Sequence, residues 1–71
     1  MDIEANWEQI CDCCSKESPD MEILYDLANE GLLWLKRGGF PPKLFGGNTK
    51  LAIDIYQSLR SIASDCTLIV A

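Results

Sequence analysis

SPDMEILYDLANEGLLWLKRGG, residues 18–39, carries helix signals at both ends. Ser18 suits an N-cap, Pro19 the first helical position, and Asp20 and Glu22 the positive end of the helix dipole. Lys36 and Arg37 fall where cations meet the last carbonyls, and Gly38 fits the left-handed residue that follows a helix. The spacing predicts a helix over 19–37. Met21, Leu24, Tyr25, Leu27, Ala28, Leu32 and Leu35 recur along it, and with Ile23 and Trp34 the apolar arc widens to about 200°. A helix so apolar lies between two others or faces another molecule.

Two further segments have helical periodicity. Over 2–16, Asp2 can cap the helix, and Ile3, Trp7, Ile10, Cys11 and Cys14 form an arc of about 100°. On this reading Cys13 falls outside the buried stripe. Over 49–66, Asn48 or Thr49 can cap, and Leu51, Ile55, Leu59, Ile62, Ala63 and Cys66 form the inner stripe. Thr67 and the apolar run 68–71 leave open whether that helix continues. Only about two residues turn the chain between the first pair of helices, so they should be antiparallel neighbours. The pattern predicts one all-α domain over 1–71, a small three-helix bundle running up, down and up, with a long Gly/Pro-containing loop between helices two and three.

That loop holds GGFPPKLFGG, residues 38–47. Its proline pair stiffens the centre, and the glycine pairs let the chain turn sharply on either side. About eleven residues is more than a simple reversal needs. Two readings compete. Phe40, Leu44 and Phe45 fold back and close the end of the bundle, or they join Trp34 in an exposed apolar patch rimmed by Lys36, Arg37, Lys43 and Lys50. The second is the character of a protein-binding surface.

Composition narrows the function classes. The chain has 71 residues, no histidine and a formal net charge of −5. A net negative charge disfavours generic nucleic-acid binding, which relies on cations displacing counterions. The acidic start of the second helix also disfavours a helix-turn-helix reader. No apolar run approaches the length of a membrane span, and the acidic N-terminus does not resemble a secretory leader. Without histidine, a triad, a phosphate loop or a cofactor motif, an enzyme is not expected. Four cysteines without an export signal suggest free thiols in a cytoplasmic setting.

The reading that follows is a small intracellular adaptor without catalytic activity or cofactor, binding through the apolar face of the second helix and the 38–48 loop. Its expected partner-binding residues are Trp34, Phe40, Leu44, Phe45, Lys36, Arg37 and Lys43, and its expected partner is another protein, a homodimer included, rather than nucleic acid or membrane. Residues 1–30 hold nine of the eleven acids and one base, Lys16, so an acidic face could meet the basic loop of a second copy. Two alternatives stand beside it. Cys11, Cys14 and Cys66 could form a thiol-based metal or redox site, although structural zinc usually takes four ligands. Carboxylates in helical columns, Glu4, Glu8, Asp12, Glu22, Asp26 and Glu30, could imitate nucleic acid and inhibit a basic protein; a solvated face is the plainer account of them.

Overall fold

A computed structural model describes the backbone of residues 2–70 and the side chains of residues 2–65. It contains α1 (Ile3–Cys14), α2 (Met21–Lys36) and α3 (Thr49–Val70), with a short 3-10 turn at Lys43–Phe45 before α3. The predicted three-helix bundle is the observed fold. Cys13 lies beside Asp20 at one end of the α1–α2 pair, and Asn6 reaches Leu27 farther along, so these helices are antiparallel. Arg60 meets Asn29, while Tyr56, earlier in α3, packs at Gly31, later in α2. So α3 also runs antiparallel to α2, and α1 and α3 run the same way. At about 1.5 Å per residue, the 22-residue α3 spans about 33 Å and sets the long axis of a 36 × 20 × 18 Å molecule.

The caps account for the boundaries. Asp2 accepts hydrogen bonds from the amides of Glu4 and Ala5 and starts α1, as expected. Asp20 does the same for Glu22 and Ile23, so α2 starts after Asp20 rather than after Ser18. A carboxylate is both cap and favourable charge at this end, and it displaces the serine from that role. Arg37 closes α2, and Gly38 follows in the left-handed region at φ 96°, again as expected. Asn48 Oδ1 accepts from the Leu51 amide and starts α3. That helix runs to Val70 rather than stopping near 66.

Two predicted stripes are displaced. On α1 the buried residues are Ile3, Asn6, Ile10 and Cys13, while Cys11 and Cys14 are exposed. On α3 the buried positions are Ala52, Tyr56 and Ala63, with Leu51 and Ile62 largely exposed. In both helices the true seam includes a residue with a polar atom, which an apolar count passes over. Asn6 Nδ2 donates to the Leu27 carbonyl at 3.0 Å, and Asn6 Oδ1 accepts from the Tyr56 hydroxyl at 2.8 Å. The pair is buried because its polar atoms satisfy one another and the α2 backbone.

Gly31 makes room for this junction. A Cβ there would overlap the Tyr56 ring and come within 2.9 Å of Asn6 Oδ1. Ala28 on α2 and Ala52 and Ala63 on α3 are likewise fully buried, so small residues let the two helices approach closely. Leu24, Leu32 and Leu35 fill the remaining core. Burial, with lesser contributions from nearby Cys11 and Glu4, pushes the Tyr56 phenol far above its ordinary value. The hydroxyl therefore stays a donor to Asn6 across the neutral range.

Candidate interaction surface

The long loop is built from its contacts with both ends of the chain. Trp34, on the last turns of α2, donates its indole Nε1–H to the Phe40 carbonyl at 3.0 Å. The two rings meet edge to face, with centroids 5.7 Å apart and planes at 85°. Gly39 between them is required: a Cβ would overlap the Trp34 indole. The Gly39 amide also donates to the Trp34 carbonyl at 2.9 Å, which folds the chain back over the tryptophan.

Beyond Phe40 the loop divides into an inner and an outer side. Pro42 and Phe45 are buried, and Phe45 packs edge to face on Trp7 with centroids 5.2 Å apart. Trp7 in turn touches Tyr56, so the loop closes the open end of the bundle through an aromatic chain. Glu4 Oε2 accepts the Lys43 amide at 2.7 Å and ties the loop to the first turn of α1. Facing outward, Phe40 is 67% exposed and Leu44 is 72% exposed. Lys36, Arg37, Lys43 and Lys50 are exposed around this end of the molecule.

Both readings of the loop therefore hold in part. Phe45 closes the core, Trp34 is half-buried and acts as a support, and Phe40 and Leu44 are presented to solvent. Of the supports, Trp34 was among the expected site residues, whereas Gly39, Pro42 and Glu4 were not. These three shape the ridge without joining it, and the glycine and proline pairs were the sequence signals for the first two. The wide apolar arc of α2 is not a single outer face. Its buried part packs on α1 and α3, while Ile23, Tyr25 and Leu33 are exposed in three different directions around the helix.

The thiols are dispersed. Cys13, expected to be the exposed one, is buried with its Sγ 3.6 Å from the Asp20 carbonyl. Cys11 and Cys14 face solvent, and the side chain of Cys66 lies outside the described residues. Partial burial, then Cys13 and Cys11 beside it, push the Cys14 thiol up, away from the thiolate that metals and electrophiles need. Among the described residues no cluster of cysteine and carboxylate side chains could hold a metal ion, and no helix is long and apolar enough to cross a membrane. The carboxylates Glu8, Asp12, Glu22, Asp26 and Glu30 are exposed, whereas Glu4 is engaged with the loop. Comparison with protein-family models, with curated proteins and with solved structures gives no match.

Proposed function

We propose that this chain is a small intracellular protein-binding module without catalytic activity, working through the loop ridge at the end of α2. The observation that carries the reading is the pairing of exposure with support. Phe40 and Leu44 are more than two-thirds exposed, yet Phe40 is held by a hydrogen bond and a ring contact from Trp34. Ordering an apolar side chain on the surface before a partner arrives lowers the entropy lost on binding. Lys36, Arg37 and Lys43 supply a cationic rim, which suits a partner with an acidic border around an apolar pocket. A second copy of this chain would supply the acidic part of that description, because residues 1–30 are strongly acidic.

Photo-crosslinking with benzoylphenylalanine at position 40, against a control at exposed Gln57, tests the reading when combined with sedimentation of the pure chain. The expected result is one dominant adduct from position 40, either a partner or a second copy, that is lost in Phe40→Ser/Leu44→Ser. A monomer at several hundred micromolar, with no adduct above the control, would overturn it.

A further inference from the structure

The outer side of the α1–α2 pair carries a notch whose shape complements the loop ridge. At the end of these helices far from the loop, Asp12 and Lys16 on one side and Asp20, Ile23 and Leu27 on the other enclose about 180 Å³. Ile23 is 51% exposed on the wall of the notch, and Leu27 is half-buried in it. A cavity of about 150 Å³ is enough to hold a benzene ring. Ile23 and Trp34 are eleven residues apart on α2, close to three whole turns. They therefore point within about 20° of one another and lie about 16 Å apart along the helix axis. Phe40 packs on Trp34, so the ridge and the notch stand on one side of the same helix.

We propose that two copies of this chain pair about a two-fold axis, with their α2 helices antiparallel and each ridge seated in the other copy's notch. This pairing rests on the loop reading and supplies its partner. Antiparallel packing brings Trp34 and Phe40 of one copy opposite Ile23 of the other, and the two-fold axis makes the same contact twice. A convex apolar group and a concave apolar site at opposite ends of one face are self-complementary in this way, so the assembly closes at two. Charge favours the same arrangement. Arg37 and Lys43 are exposed at the ridge end, where Glu4 is held by the Lys43 amide. The notch end holds Asp12, Glu17, Asp20 and Glu22 against one base, Lys16. Asp20 keeps its charge there while its Oδ1 caps α2. A parallel pair would instead set ridge against ridge and cation against cation.

The test is sedimentation of the pure full chain, combined with mapping of the adduct formed by benzoylphenylalanine at position 40. The expected species are monomer and dimer with nothing larger, and the dimer should weaken as salt rises. The adduct should map to residues 12–27 of the second copy. Ile23→Arg in the notch, and separately Phe40→Ser/Leu44→Ser on the ridge, should each weaken dimerisation at least about tenfold. Mixing these two variants should restore part of the dimer, because the pair retains one intact ridge and one intact notch that face each other. Ile23 and Asp12 are exposed, so Ile23→Arg and a second notch variant, Asp12→Lys, should keep the fold, which circular dichroism checks. A monomer at several hundred micromolar would overturn the pairing, as would an adduct within residues 34–45 of the second copy. Notch variants that dimerise like the parent, a mixture without rescue, or growth beyond the dimer would do the same. The loop reading falls separately, only when position 40 captures neither a second copy nor another protein.

Discussion

The junction of Asn6, Gly31 and Tyr56 and the ridge of Phe40 and Leu44 lie in the same small bundle, yet they treat side chains in opposite ways. At the junction, polar atoms are fully buried and each has a partner. At the ridge, large apolar groups are left in water although the same loop buries Pro42 and Phe45 a few atoms away. The loop therefore has the reach to bury apolar groups, and its outer side is not exposed for want of length. What separates the two regions is purpose in the physical sense: one set of contacts holds the helices in register, and the other holds a surface in shape.

Substitutions should separate the regions in a graded way. Gly31→Ala strikes the junction hardest, because the added methyl overlaps the Tyr56 ring between two helix backbones. A loss of about 3 kcal/mol, near the upper end for overpacking, is expected in urea unfolding. Tyr56→Phe keeps the ring and removes the hydroxyl, leaving Asn6 Oδ1 buried without its donor. It should cost about 2 kcal/mol by the same measurement. The wild type should also lose stability as pH rises above about 10, where tyrosine ionises in the unfolded chain but is held protonated in the fold. Below that pH both states carry the proton and this contribution is constant; in Tyr56→Phe the alkaline loss attributable to this group should vanish.

At the ridge, effects on stability should be smaller and effects on binding larger. Gly39→Ala pushes the Trp34 indole off its place under Phe40. About 1 kcal/mol of stability should be lost, together with a change in Trp34 fluorescence and weaker partner capture. Phe40→Ser/Leu44→Ser removes two exposed groups and should change stability by no more than about 0.5 kcal/mol.

How much of this was legible in the sequence follows from the same contrast. The helices were readable because Asp2, Asn48, Lys36, Arg37 and Gly38 announce their ends by local chemistry that tertiary contacts do not alter. The seams were not, because Asn6 and Tyr56 become core residues only when they find each other across 50 positions of chain. Without that pairing, periodicity favours Cys11 and Cys14 over Cys13, and Leu51 and Ile55 over Ala52 and Tyr56. Small residues at a close helix contact give the same difficulty: Gly31 reads as a weak point in α2, and it is where α3 approaches. Of the ridge, Phe40 and Leu44 were nameable from composition. The division of the loop between a buried Phe45 and an exposed Phe40 depends on Trp7 and Trp34, which are far from it in sequence or reach it only once α2 has ended.

The most direct test of the account measures stability and association together in Phe40→Ser/Leu44→Ser. Thermal unfolding matched to wild type, with loss of the species crosslinked through position 40 in the parent chain, is the predicted outcome. A melting temperature lowered by several degrees, with association intact, would mean that the ridge serves the fold and that binding lies elsewhere.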